Sequence, residues 1–91
     1  MMLKDTIEMM NSEDYRERFK AEYYQTKIRY EKLKAFNNKI EAARHTSFGD
    51  SERLPMPKHD CPDELLREQQ SAMGHYLHIL DVRAVIEGIE L

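Results

Sequence analysis

Four tyrosines interleave with five cations in the first half of the chain: Tyr15, Tyr23, Tyr24 and Tyr30 among Arg16, Arg18, Lys20, Lys27 and Arg29. In the second half Gln69, Tyr76 and Arg83 recur at intervals of seven. Aromatic faces stack on bases, cationic groups take phosphates, and amides read ribose hydroxyls and base edges. These types suit capture of a nucleotide without any bond being made or broken. The candidate ligand-binding residues are Tyr15, Arg18, Tyr23, Lys27, Tyr30, Gln69, Tyr76 and Arg83. Two other uses stay open. Tyrosine at a heptad position also serves as core with its hydroxyl reaching solvent, and Arg83, flanked by apolar residues, is satisfied equally by a ligand anion or by a structural carboxylate.

Other constellations are weaker. His75, His78 and Asp81 share one helix face and have the right types for a metal, but such trios are ordinarily exposed polar surface. Cys61 stands just before a helix start, where a thiolate is stabilised. With no catalytic base beside it, a buried or capping thiol is the expected role. His45 and His59 fall in a connecting segment and call for no special account. No phosphate-cradling glycine loop, nucleophile elbow or zinc finger is spelled out. The expectation is therefore a non-enzyme that needs no cofactor and no metal.

The elements that position these residues are helices. Leu3, Ile7 and Met10 give a short helix over 3–10. Ser12 is a plausible cap for a long helix over 13–43, with Glu13 and Asp14 favourably placed against its dipole. In that helix Phe19, Thr26, Leu33 and Ile40 make one seven-residue row and Tyr23, Tyr30 and Asn37 the next. Tyr24, Ile28 and Ala35 widen the face beyond what one partner helix needs. Residues 44–61 form a connector whose Ser47 to Ser51 stretch and Leu54-Pro55-Met56-Pro57 are turn-rich, a bland surface loop or a lid. A second long helix over 62–87 opens at Pro62, where a missing amide donor costs nothing, with Glu64 able to reach back to the cap. Its rows are Leu66, Met73 and Leu80; Gln69, Tyr76 and Arg83; and a flank of Leu65, Ala72, Ile79 and Ile86.

The fold class expected is all-α: a long antiparallel two-helix hairpin with a short N-terminal helix, in one domain over 1–91. Helices of this length run about 40 Å, and two of them cannot enclose a core. Ninety-one residues is also near the lower end of what folds alone, so assembly as a homo-oligomer, a dimer or higher with a hexamer among the options, is the expected remedy.

Charge is unevenly placed. Residues 14–44 hold nine Lys/Arg against five Asp/Glu, whereas residues 45–91 hold four against nine. This polarity attracts an anion or lets opposite helices pack. The net charge of -3 and the lack of a concentrated basic patch disfavour a nucleic-acid polymer as partner. No segment approaches ~18 consecutive apolar residues, so no membrane partner is expected. The N-terminus lacks the order of a signal peptide, so the chain is expected in the cytoplasm. A single cysteine leaves no internal disulfide.

Cys61-Pro62, Leu65-Leu66, Gln69, Met73, Tyr76-Leu77, Leu80 and Arg83-Ala84, preceded by Tyr15-Arg16, Arg18-Phe19, Lys27-Ile28, Leu33 and Phe36, form a block over most of residues 14–89. This block resembles small helical-hairpin proteins of phages and prophages, including a family of crAss-like phages. In size and layout the chain is also similar to phage immune-signal sponges, the anti-CBASS and anti-Thoeris hairpin proteins, although their Gly-Tyr-Arg and Arg-Trp motifs are not evident. What the resemblance implies is a homo-oligomer that sequesters a small nucleotide signal, a cyclic oligonucleotide or a cyclic ADP-ribose isomer, and so blocks host defence. The alternative is a helical adaptor or inhibitor that binds a host or phage protein through its apolar face.

Overall fold

A computed structural model describes residues 1–46 and 54–91, and the described residues are helical with no strand among them. A 3-10 turn, Leu3–Thr6, leads into the short helix α1, Ile7–Met10. The long helices follow as α2, Tyr15–Arg44, and α3, Asp63–Glu87.

Local chemistry sets the ends. The start of α2 is capped by Asp14, whose carboxylate accepts from the Arg16 amide at 2.9 Å. Ser12 is instead two residues upstream of the cap, its hydroxyl accepting from the Asp14 amide at 3.0 Å. Both residues can bond an N-terminal amide two positions on, so which one becomes the cap depends on where the chain turns. Pro62 is the residue before α3 rather than its first helical position, and its carbonyl accepts from the Leu65 and Leu66 amides. No side-chain cap bond forms there, so Glu64 does not reach back. At the other end Gly88 adopts the left-handed conformation, φ 70°, which costs little without a Cβ. The Ile89 amide then returns to the Ala84 carbonyl at 2.9 Å and the Ile89 side chain is buried.

The order of contacts shows that α2 and α3 run in opposite directions. Tyr15 meets Glu87, Tyr30 lies against Gly74, Asn37 bonds Leu66 and Gln70, and Arg44 pairs with Asp63. A small core does form between them, from Phe19, Tyr23, Leu77, Leu80, Ala84 and Ile89, with Tyr24 and Tyr30 against it. Leu80 has no exposed surface. The stripe of α3 turned to α2 thus includes Leu77 and Ala84. The row of Gln69, Tyr76 and Arg83 lies exposed at its edge instead of within the seam, and the flank of Leu65, Ala72, Ile79 and Ile86 is exposed as well.

The N-terminal turn is held on α2 by a buried hydroxyl. Thr6 Oγ1 donates to the Leu3 carbonyl at 2.7 Å and accepts from Gln25 Nε2 at 2.9 Å, so both its hydrogen-bonding roles are met.

Candidate functional site

Two polar stripes at helical spacing face each other along the connector-side half of the α2 and α3 pair. On α2 these are Tyr30, Asn37, Asn38, Glu41 and Arg44; on α3, Arg67, Gln70, Ser71 and Gly74. Residues three, four and seven apart lie on one side of a helix, so each stripe presents a continuous wall. Together they line an open groove of about 610 Å³, within the ~300–1,000 Å³ range of small-molecule sites.

Each wall has a definite construction. Gly74 lets the Tyr30 ring lie against the α3 backbone, since a Cβ there would sit 3.3 Å from Tyr30 Cε1. Asn37 Nδ2 donates to the Leu66 carbonyl at 3.2 Å and to Gln70 Oε1 at 2.9 Å, tying the two walls together and fixing both amides. At the connector end the nearly buried Asp63 carboxylate pairs with Arg44 and with His59 Nε2. The His59 ring also stands edge-on to Phe36, with Nδ1 2.8 Å from the Pro57 carbonyl. The incoming chain is therefore anchored where α3 begins, which gives His59 a role that its position in a connector did not suggest. Arg67 makes no ion pair among the described residues, which leaves its guanidinium free to bind an anion.

The residues singled out from the sequence fall in several places. Tyr30 alone lines this groove. Tyr15, Tyr76 and Arg83 meet near the opposite end of the pair. Arg83 donates to the Tyr15 hydroxyl at 2.7 Å and to Glu87 Oε2 at 3.2 Å, and its guanidinium lies over the Phe19 ring, 5.1 Å from the centroid. Tyr15 in turn donates to Glu87 at 2.8 Å, and Tyr76 donates to Glu22. Arg83 thus has the structural carboxylate its apolar neighbours called for. Tyr23 is core, with Lys27 over its ring at 5.8 Å. Arg18 is turned to the N-terminal turn, donating to the Ser12 carbonyl at 2.8 Å. Gln69 is exposed and approaches only Met73 sulfur.

The electrostatics of that second cluster follow from its hydrogen bonds. The Tyr15 hydroxyl is pushed above its ordinary value by the bond it donates to Glu87 and by burial, with Arg83 opposing. Tyr76 is raised by its bond to Glu22 and then by burial. Tyr23 is raised by burial and by Asp81. For Arg83, burial works against the charge, but the Tyr15 oxygen and Glu87 outweigh it and hold the pKa above its usual value.

Cys61 is exposed rather than buried or capping. Among the described residues no three His, Cys, Asp or Glu side chains converge on a metal-binding geometry, and no helix is long and apolar enough to cross a membrane. The Ser47 to Ser51 part of the connector lies outside the described residues, while Leu54 to Pro57 form an apolar shelf beside Lys39 and Ala42.

A family model described as Sequestin matches residues 13–86, from the first turn before α2 almost to the end of α3. The chain belongs to the Sequestin family. The Sequestin match takes in α2, all of α3 but its last residue, and every lining residue of the groove. No curated protein and no solved structure matches this Sequestin chain.

The groove residues missed from sequence are polar and far apart in the chain. Arg67, Gln70, Ser71 and Gly74 do recur at helical spacing, and a glycine within such a stripe is a signal that another group approaches the backbone.

Proposed function

We propose that this protein is a phage-encoded, non-catalytic sponge, a homo-oligomeric helical hairpin of the host cytoplasm. It binds a nucleotide immune signal and withholds it from a host defence effector. The observation that carries this reading is the groove between α2 and α3, which offers an aromatic ring, free guanidinium, amides and a hydroxyl in one concave site. Tyr30 supplies a face for a base, Arg67 takes a phosphate, and Gln70, Asn38 and Ser71 suit base edges and ribose. Membership of a family whose name is consistent with sequestering supports it further.

Nothing in the groove calls for chemistry. Of its two carboxylates, Asp63 is occupied by Arg44 and His59, and Glu41 lies 3.9 Å from His45. Depletion then works by mass action: the protein must bind more tightly than the effector and match the signal in copies.

The test is direct. The protein is incubated with a panel of cyclic oligonucleotides and cyclic ADP-ribose isomers, washed, and heated to release intact ligand. A captured ligand at 100 times its Kd also stabilises the fold by about 2.7 kcal/mol, read as a rise in melting temperature. Absence of both capture and thermal shift across the panel refutes the proposal. Capture that is unaffected by Arg67→Ala but lost in Arg83→Ala moves the site to the Tyr15 and Arg83 cluster.

A further inference from the structure

Arg67 is not the only guanidinium on the groove. Arg44 lines it from α2, together with the Asp63 carboxylate that Arg44 pairs with. Asp63 and Arg67 stand four residues apart on α3, which puts them on one side of that helix with roughly 5–6 Å between their Cβ atoms. The two arginines are therefore anchored about one helical turn apart along the connector end of the groove. Arg67 has no ion-pair partner among the described residues. Arg44 has one, but the two partners differ in freedom: the Arg44 side chain is 49% exposed and that of Asp63 only 8%. Arg44 can swing away from the pair, and Asp63 cannot follow it. Whether Arg44 leaves is decided by the fate of the carboxylate, because a buried carboxylate stripped of its cation is strongly disfavoured.

His59 supplies the replacement. Its Nε2 faces Asp63 Oδ1 while Arg44 is on Oδ2, so the two groups hold different oxygens. Its Nδ1 lies 2.8 Å from the Pro57 carbonyl, so both ring nitrogens face oxygen acceptors. A neutral imidazole has one N–H and satisfies one of them, whereas the imidazolium has two and satisfies both. The ring is held edge-on to Phe36 and is itself mostly buried. The other carboxylate of the groove, Glu41, lies 3.9 Å from His45 and makes no pair with Arg44. We infer that Arg44 is a second, releasable anion-binding residue: a ligand with two linked phosphate groups engages Arg67 with one and draws Arg44 off Asp63 with the other, while His59 stays as the cation on that carboxylate. This rests on the groove being the ligand site and adds a rule of selection to it, two linked phosphates over one. His59 is a positioning residue here, since it lies outside the groove lining and acts on the ligand only through Asp63.

The probes are inorganic pyrophosphate and orthophosphate, titrated at constant ionic strength into ligand-free full-length protein and followed by amide NMR shifts. Wild type is expected to bind pyrophosphate about tenfold or more tighter than orthophosphate. Arg67→Ala weakens both probes. Arg44→Gln lowers pyrophosphate affinity to near that of orthophosphate and leaves orthophosphate unchanged, a selective loss that a merely structural role does not produce. His59→Gln keeps a donor without the charge, so Asp63 retains Arg44 and the preference for pyrophosphate falls in the same way. Circular dichroism checks that each variant stays helical, and if Arg44→Gln unfolds, wild type and His59→Gln decide the matter. Binding of neither probe, equal affinity of wild type for both, or a preference that survives the Arg44 and His59 variants overturns the inference. The nucleotide panel reads separately: a nucleotide captured by a protein with no preference for pyrophosphate removes Arg44 and leaves the sponge, and a pyrophosphate preference with no nucleotide captured does the reverse.

Discussion

Replacing Gly74 by alanine sets two effects of opposite sign against each other at the groove wall. In the middle of a helix, alanine is favoured over glycine by about 0.8–1.0 kcal/mol. Against this, the new Cβ would meet Tyr30 Cε1 at 3.3 Å, its hydroxyl oxygen at 3.6 Å and Cζ at 3.7 Å. The close atoms all belong to the far end of a half-buried side chain whose ring borders the open groove. A shift of a few tenths of an ångström there needs only a small rotation, well short of the ~30° departure that costs about 0.5–1.5 kcal/mol. The helix term wins, and Gly74→Ala is expected to stabilise the protein by about 0.5 kcal/mol. For a domain of this size that is a rise of about 2–4 °C in melting temperature. Thermal and urea unfolding followed by circular dichroism measure it. A loss of about 1 kcal/mol or more would refute the reasoning, because it would mean that Tyr30 is rigidly held against the glycine rather than able to yield. Gly74→Leu extends the test to function: its side chain displaces the ring and fills the groove, so ligand capture should fall while the helices persist.

Arg67→Ala removes a charge that has no ion-pair partner among the described residues, so stability should change by no more than about 0.5 kcal/mol, while capture of a phosphate-bearing ligand weakens about 10- to 100-fold if a charge-assisted bond is lost; equal capture by the variant would exclude Arg67 from the site. Asp63→Asn leaves Arg44 and His59 without their carboxylate and should cost about 1–3 kcal/mol in urea unfolding, a neutral result showing that the anchor is not needed. Leu80→Ala opens a cavity at a fully buried position and should cost about 2–5 kcal/mol, with a smaller loss indicating that the core collapses around it. The hydroxyls of Tyr15, Tyr23 and Tyr76 have folded values raised above the ordinary one of about 10. A raised value favours the folded state below the unfolded pKa, and that contribution is lost as pH climbs through the folded pKa. Melting temperature should therefore fall as pH rises above about 10, less steeply in Tyr76→Phe, and tyrosinate absorbance appearing first at lower pH would contradict it.

The helices and their ends were largely legible from residue types, because their signals are local. A run without proline, acidic residues near one helix start and a proline near the other act within a few positions of themselves, although Pro62 stands one residue before α3 and not at its first position. Even so, Ser12 and Asp14 could not be told apart, since both can accept from an amide two residues on. The Tyr15 and Arg83 cluster was half legible: Arg83 demanded an anion, but Glu87 and Tyr15 were named as its company only by the packing of the two helices.

What the sequence determined by itself is the helical state, the segregation of charge between its halves, and the surplus of apolar stripe over what two helices can cover. Tertiary structure decided which stripe is which. Two rows of α3 offset by one residue, Leu66, Met73 and Leu80 beside Leu65, Ala72 and Ile79, are about equally apolar, and one residue is ~100° of helix rotation. Periodicity therefore cannot say which row turns inward. The choice is made by contacts far apart in the chain, with Tyr30 against Gly74, Asn37 on Gln70 and Arg44 on Asp63. Those contacts set the rotation of α3, and that rotation lines a groove with Arg67, Gln70, Ser71 and Gly74 and leaves the row of Leu65, Ala72, Ile79 and Ile86 exposed.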